Sequence, residues 1–126
     1  MPLVEITLRR GKSSEYVRSV ADAVHEALVA QANVPPDDRF QIVHQVDDTT
    51  VIAHPSYGAV SRSSDLIIVK ITLNAGRTVE IKKNLYGDIA RRLERAADVR
   101  QDDVMICLIE VVKENWSFGG GRATYA

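Results

Sequence analysis

The sequence has little of what would tie a small protein to a metal, a disulfide framework or a membrane. Its 126 residues include one cysteine, Cys107, and three scattered histidines, so an internal disulfide is excluded and no zinc-type ligand cluster is formed. Sixteen basic and seventeen acidic residues leave a net charge of −1, which favours neither nucleic acid nor an anionic membrane. The apolar runs are far shorter than a bilayer span, and the N-terminus lacks the apolar stretch of a signal peptide. We therefore expect a soluble cytoplasmic protein.

What the chain does contain is an internal duplication. Residues 4–43 align with residues 69–108 without a gap, and eleven of these forty positions are identical, whereas average residue usage would give about two or three. The length fits one domain with its own core. The predicted organisation is a single domain over residues 1–126, made of two repeats, 2–46 and 66–112, and a C-terminal tail, 113–126.

Each repeat has the pattern strand, helix, strand. A β-branched run opens each copy, a glycine turn follows, and Ser13 or Thr78 stands where a helix N-cap accepts hydrogen bonds from free amides. Apolar residues then recur at helical spacing, and a second β-branched run closes the copy. The strands are predicted over residues 4–8, 40–46, 66–73 and 104–112, with a short hairpin around residues 50–53 in the connection.

A right-handed crossover makes the two strands of each repeat parallel. The predicted fold is therefore α/β (α+β): a duplicated β-α-β unit forming a four-stranded mixed sheet with two helices on one face. The strand 66–73 is apolar on both faces, which is typical of a sheet covered on both sides. We therefore expect an obligate homo-oligomer, the alternative being a monomer whose tail covers the second face. Cys107, in the middle of the last strand, is predicted to lie in the core.

A strand that begins with Met1-Pro2 and leads into this duplication resembles the tautomerase superfamily. Segments 34–40, 76–78 and 115–123 resemble its malonate semialdehyde decarboxylase branch, and the resemblance spans essentially the whole chain. It implies a tautomerase-like homotrimer, removal of Met1, an active site around the amino-terminal proline, and neither a metal nor an organic cofactor. A retained Met1 would turn the amine of Pro2 into an amide without basicity.

Pro2, once exposed, carries a secondary amine whose reference pKa lies near about 8, and burial or nearby cations would lower that pKa. The neutral amine can take a proton from a carbon beside a carbonyl and return it elsewhere, which is tautomerisation. It can also add to an aldehyde and form an iminium that accepts electrons as carbon dioxide leaves. The alternative is that Pro2 only starts a strand.

Two charged residues are predicted to join Pro2 as catalytic residues. Arg77 has a guanidinium suited to bidentate binding of a substrate carboxylate. The resemblance implies two arginines in this loop, but the earlier position is Asn74, which we predict to help bind the substrate. Asp38 matches the active-site aspartate of the branch. The repeat mates Lys12 and Asp103 leave open that both residues are structural.

The tail and the corner at residues 34–40 supply the remaining candidates. Trp116 and Phe118 resemble an apolar pocket wall, which favours loss of a carboxylate or suits an aryl substrate; alternatively they anchor the tail. Arg39 is predicted to bind substrate, with a structural ion pair as the alternative. His25 is expected to have a structural role at the edge of the first helix.

These features together predict keto–enol tautomerisation of a small 2-oxo or 3-oxo carboxylic acid. The first alternative is a malonate semialdehyde decarboxylase with a hydratase-like side activity. The second is a non-catalytic trimeric relative that binds a metabolite. In all three cases the expected partners are a small oxo acid and further copies of the same chain.

Overall fold

The structure, a computed structural model, describes residues 2–125, and the predicted removal of Met1 lies outside them. The elements are β1 (Pro2–Arg9), α1 (Ser14–Ala32), β2 (Gln41–Val46), β3 (Ile67–Asn74), α2 (Val79–Ala97) and β4 (Val104–Val111). Two single turns of 3₁₀ helix, Gln101–Asp103 and Lys113–Asn115, flank β4. Within the described range, no helix is long and apolar enough to cross a bilayer.

The four strands form one mixed sheet in the order β2-β1-β3-β4. Strands β1 and β2 are parallel, as are β3 and β4, and the two repeats meet in the antiparallel pair β1 and β3. Both helices cover one face, because alternate strand residues such as Ile6 and Val69 are fully buried with the apolar stripes of α1 and α2. The predicted duplicated β-α-β sheet with two helices on one face is confirmed.

The duplication extends to the ends of the helices. Ser13 and Thr78 accept hydrogen bonds from the amides three residues on, at 3.1 and 3.2 Å, as their N-cap positions predict. Both helices end at a non-glycine residue in the left-handed region, Asn33 with φ 56° and Asp98 with φ 55°. Asparagine and aspartate tolerate this conformation better than other residues with a side chain. The two helices therefore begin and end at equivalent positions.

The hairpin predicted around residues 50–53 is wrong. The chain turns where Thr50 N–H donates to the carbonyl oxygen of Asp47 at 3.0 Å, and it then continues through further turns without strand pairing to β3. Local bonds take the place of a ladder here, since Arg62 N–H donates to the carbonyl oxygen of Pro55 at 2.7 Å. The composition of this segment indicated turns, and the structure has these turns without the paired strands that a hairpin requires.

The prediction that Cys107 lies in the core is also wrong, because its thiol is exposed. Successive strand residues point to opposite faces, and in β4 the neighbours Ile106 and Leu108 pack against the core. Cys107 therefore lies on the sheet face away from the helices. Exposed apolar residues on that face include Ile42 and Met105. Self-association through this face stays a prediction.

Candidate active site

Pro2 lies where the start of β1 meets two other segments. It is the first residue of β1, it is buried, and it pairs antiparallel with Leu73, one residue before Asn74 at the end of β3. Val4 N–H donates to the carbonyl oxygen of Phe40 at 2.9 Å, which brings the corner at residues 35–40 beside the same strand end. Three predicted site regions thus meet at one end of the sheet.

Arg77 lies in the turn between β3 and α2, half-buried. Its Nε and Nη2 donate to the carbonyl oxygen of Ala32 at 3.1 and 2.9 Å, and Nη1 donates to the backbone oxygen of Asn74 at 3.1 Å. A guanidinium has five N–H donors, so one remains on each terminal nitrogen. The carboxyl end of α1 offsets only about half an elementary charge, and no carboxylate of residues 2–125 pairs with Arg77 within ion-pair distance. Positive charge therefore stays at this end of the sheet.

Asn74 connects this cation to the tail. Trp116 donates a hydrogen bond from its indole Nε1 to Oδ1 of Asn74 at 2.8 Å. The backbone oxygen of Asn74 accepts one from Arg77. Because Oδ1 accepts the indole, the orientation of the amide is fixed and its Nδ2 is the donor end. The amide of Asn74 can therefore supplement Arg77 in binding an oxygen-rich group.

The aromatic residues of the tail pack around Phe118. Its ring centroid lies 6.0 Å from Trp116, 6.2 Å from Phe40 and 5.2 Å from Tyr125, distances typical of favourable aromatic pairs. Thr124 accepts a hydrogen bond from Phe118 N–H at 3.1 Å and closes the tail on itself. Phe40 and Tyr125 were missed as wall residues by the sequence analysis; the only signals were an aromatic next to the corner and an aromatic in a glycine-rich tail.

The corner before β2 carries Asp38 and Arg39, and their surroundings differ. Asp38 is half-buried, and its N–H donates to the carbonyl oxygen of Pro35 at 3.0 Å, which forms a tight turn. The guanidinium of Arg39 donates to Asp22 of α1 at 2.6 Å and to Gln41 at 2.8 Å. The hydrogen bond from Arg39 holds the pKa of Asp22 below its usual range, against the opposing effect of burial. Arg39 thus faces α1 and binds a carboxylate of the protein itself.

The opposite end of the sheet has a cavity of its own, and the cation that lines it is paired with a carboxylate. A cavity of about 270 Å³ lies there beside Arg9, at the far end of β1 from Pro2. Arg9 donates to Asp48 at 2.8 Å, and Lys12 pairs with Asp65 at 3.1 Å. We therefore place the candidate site at the Pro2 end, where Arg77 has no carboxylate partner among residues 2–125. Among residues 2–125, no three His, Cys, Asp or Glu side chains group closely enough to hold a metal.

Comparison with known proteins finds relatives that match nearly the whole chain. Two family models described as tautomerase enzymes match residues 2–59 and 38–119. The chain is 40% identical over 123 residues to the probable tautomerase YusQ of Bacillus subtilis strain 168, covering 98% of this chain and 97% of the relative. It is 29% identical over 125 residues to the probable tautomerase YrdN of the same organism, covering 99% and 96%.

Solved structures extend the comparison. FG41 malonate semialdehyde decarboxylase inhibited by 3-bromopropiolate superposes with a TM-score of 0.91 at 37% identity, covering 98% of this chain and 93% of that one. A second malonate semialdehyde decarboxylase superposes with a TM-score of 0.91 at 31% identity, covering 98% and 95%. The symmetric trimer of fused 4-OT, at 22% identity and a TM-score of 0.80, covers 98% and 97% and shares the fold.

Proposed function

Because this chain is an enzyme of the tautomerase superfamily, in the branch of malonate semialdehyde decarboxylase, we propose that it catalyses keto–enol tautomerisation of a small 2-oxo or 3-oxo carboxylic acid. Pro2, with Met1 removed, is the group that moves a proton at carbon. Arg77 and Asn74 bind the carboxylate, and Asp38 acts on the oxygen of the enol. Trp116 and Phe118 form the apolar side of the site.

The β1–β3 register supports this assignment most directly. Pairing of Pro2 with Leu73 leaves the start of β1 next to Asn74, whose backbone oxygen accepts a hydrogen bond from Arg77. A substrate carboxylate can accept hydrogen bonds from the two N–H donors left on that guanidinium, and the fork geometry makes this ion pair directional. Since the charge of Arg77 has no carboxylate partner in residues 2–125, an anionic ligand is the group that this end of the sheet best accommodates.

In the ketonisation direction, the protonated amine of Pro2 gives its proton to the enol carbon. Asp38 takes the proton of the enol hydroxyl, and the O–H electrons form the new carbonyl, so one proton enters and one leaves. The reverse direction uses the neutral amine as base and the protonated carboxyl as acid. Trp116 and Phe118 keep water away from the carbon and strengthen the interaction of Arg77 with the carboxylate.

Decarboxylation is the second candidate, and the 37% identity to a malonate semialdehyde decarboxylase favours it. The neutral amine of Pro2 adds to an aldehyde and loses water to give an iminium. The carbon–carbon bond to the carboxylate breaks, its electrons reduce the iminium to an enamine, and protonation and hydrolysis release the product. Because Asn74 is neutral and stands where the resemblance implies a second arginine, the site has less positive charge to polarise a carbonyl, which disfavours this route, although Arg77 alone suffices to bind a monocarboxylate.

We also propose that the chain assembles as a homotrimer through the sheet face away from the helices. That face exposes Ile42 at 46%, Met105 at 48% and Ile109 at 38% of their surfaces, and an open apolar face of this kind favours self-association. Light scattering coupled to size exclusion is expected to give three times the mass of the chain. A monomer that stays monodisperse at micromolar concentration would contradict the assembly.

The proposed reaction is tested by two assays on protein whose intact mass shows loss of one methionine. Ketonisation of phenylenolpyruvate is followed by absorbance, and carbon dioxide release from malonate semialdehyde is measured in parallel. We expect the first to be the faster reaction. Protein that retains Met1 serves as the matched control, because the same fold then carries an amide in place of the amine.

Equal activity with and without Met1 would remove Pro2 from the mechanism. Faster carbon dioxide release than ketonisation would assign the chain to decarboxylation instead. No activity in either assay for protein with a free Pro2 amine would defeat both.

A further inference from the structure

His25 is a buried polar residue of α1 for which the proposed reaction has no use. The residue is 9% exposed, and its Nε2 lies 2.8 Å from the carbonyl oxygen of Pro36. A carbonyl oxygen only accepts hydrogen bonds, so Nε2 must carry the proton in this contact. Pro36 is two residues before Asp38. The helix thus holds the corner immediately on the amino side of the aspartate.

The carboxyl side of the same corner is also attached to α1. Arg39 donates to Asp22 at 2.6 Å, and Gln41 donates through its amide to the backbone oxygen of Ala21 at 2.8 Å. Asp22 and His25 are three residues apart, and residues at this spacing share one face of a helix. One face of α1 therefore holds the corner on both sides of Asp38.

The second repeat shows that a β-α-β unit does not need these contacts. The residues equivalent to His25, Asp22 and Arg39 are Ala90, Gly87 and Val104, which have no side-chain hydrogen-bonding groups. The second corner is instead anchored through its aspartate: Ser63 donates to Asp103 from its N–H and from its hydroxyl, both at 2.6 Å. The contacts of His25 are thus particular to the end of the sheet that carries Pro2.

From these observations we propose that His25 is a positioning residue, which holds the Pro35–Pro36 turn against α1 and thereby sets the carboxylate of Asp38 relative to Pro2. This rests on the proposed role of Asp38 in the tautomerase reaction. Holding an acid–base group to within a fraction of an ångström matters because a displacement of about 1 Å can cost about a hundredfold in rate.

The first test does not depend on activity. The amides of Asp38 and Arg39 donate within the corner, at 3.0 and 3.1 Å, so their hydrogen exchange measured by NMR reports its opening. His25→Leu fills the position with an apolar side chain and removes the donor. The exchange of both amides is expected to rise about fivefold, the factor that corresponds to one lost hydrogen bond. Exchange in β3 is expected to stay unchanged.

Ser63→Ala is the matched control, because it removes the side-chain donor of the equivalent anchor at the opposite end of the sheet. It is expected to leave exchange at Asp38 and Arg39 unaltered. His25→Gln retains an amide donor and is expected to restore slow exchange. Unchanged corner exchange in His25→Leu would overturn the proposal, whatever the enzyme proves to catalyse.

The second test is a double-mutant cycle on kcat/KM for phenylenolpyruvate. His25→Leu is expected to lower kcat/KM about tenfold to a hundredfold in the wild-type background and to change it little in the Asp38→Asn background, since coupled residues are not additive. Ser63→Ala is expected to leave kcat/KM of the folded protein unchanged, and His25→Gln to recover most of it.

The outcomes separate the two proposals. An equal loss from His25→Leu in both backgrounds would mean that His25 acts only through general folding, and no loss at all would mean that the corner does not need it; either result overturns the positioning role. An inactive wild-type protein would instead defeat the proposed function, while hydrogen exchange still decides whether His25 holds the corner.

Discussion

The two ends of the sheet carry equivalent segments of the two repeats, but they differ in whether the cation of that segment has a carboxylate partner. At the end where β1 finishes, Lys12 pairs with Asp65 and Arg9 with Asp48. At the end where β1 starts, the equivalent of Lys12 is Arg77, which donates to backbone carbonyl oxygens. Both repeats therefore have a cation immediately before the N-cap of their helix. Of these two cations, only Lys12 has a carboxylate partner among the described residues.

The paired aspartates differ in the same way. Asp103 is 1% exposed, and both oxygens of its carboxylate accept hydrogen bonds from Ser63. Asp38 is half-buried, and its corner is fastened to α1 through the residues on either side. One copy thus uses the aspartate as a structural anchor, whereas the other copy has a separate anchor. The two copies of the backbone unit therefore differ in where their anchors lie, and the copy with the separate anchor is the one that contributes to the proposed site.

The largest expected effect comes from substituting the first residue of the first strand in each repeat, Pro2 of β1 and Ile67 of β3. Pro2→Ala retains the strand position but loses the secondary amine, so we expect kcat to fall about 10²- to 10⁴-fold with little change in the free energy of unfolding. The equivalent change, Ile67→Ala, removes a side chain that is 1% exposed and is expected to destabilise by about 2–5 kcal/mol.

Denaturant unfolding and steady-state kinetics on both variants check this contrast. The kcat of the folded fraction of Ile67→Ala is expected to match the wild type. A Pro2→Ala variant that loses stability as severely as Ile67→Ala would identify Pro2 as a packing residue, and the difference between the two ends would disappear.

A smaller effect is expected from the two equivalent cations. Arg77→Gln removes charged hydrogen bonds worth about 1.5–3 kcal/mol, so KM for an oxo acid is expected to rise about tenfold to a hundredfold. Lys12→Gln breaks a partly exposed pair, which contributes at most about 1 kcal/mol to stability, and is expected to leave KM unaltered.

The measurement is KM at two salt concentrations, with thermal unfolding as a control for folding. Salt is expected to raise KM of the wild type because it screens the attraction of Arg77 for the carboxylate, and Arg77→Gln is expected to lose this dependence. An equal rise in KM for Lys12→Gln would show that the cation acts as scaffold in both repeats.

The smallest expected effect concerns a buried carboxylate that α2 has and α1 lacks. Asp88 of α2 is 5% exposed and accepts from Arg92 at 2.9 Å and from Gln31 at 3.3 Å, whereas its repeat mate is Ala23. Burial raises the pKa of Asp88, but the hydrogen bonds from Arg92 and Gln31 and the nearby arginine charge outweigh it, and the pKa lies below its usual value.

This shift predicts how stability depends on pH. The unfolded chain holds the Asp88 proton more tightly than the folded one, so stability is complete above the usual aspartate pKa of about 4 and is lost as pH falls through the folded pKa. Asp88→Asn is expected to flatten the acid limb of unfolding free energy against pH. An acid limb of equal slope in wild type and variant would mean that Asp88 contributes nothing to it.

Much of the fold could be predicted because it rests on local rules repeated twice. Alternating and helical periodicity fixed the strands and helices, and Ser13 and Thr78 marked the helix starts that the structure shows. The connection after β2 was less predictable, because its conformation depends on hydrogen bonds with residues distant in sequence, such as those of Ser61 and Ser63 with Asp102 and Asp103. Cys107 was misplaced for a related reason: an apolar run shows that a strand exists, but its register decides which residues face the helices.

The candidate site divides along the same line. Sequence alone determined the residue types, a proline after Met1, an arginine before a helix cap and aromatics in a glycine-rich tail, because these follow from motifs and from the repeat. Only the tertiary structure decided that Arg39 turns to Asp22, that Phe40 and Tyr125 join Phe118, and that His25 fastens the corner. These are contacts between segments far apart along the chain, and their partners are chosen by packing and by the crossing of helix over sheet, which no local pattern encodes.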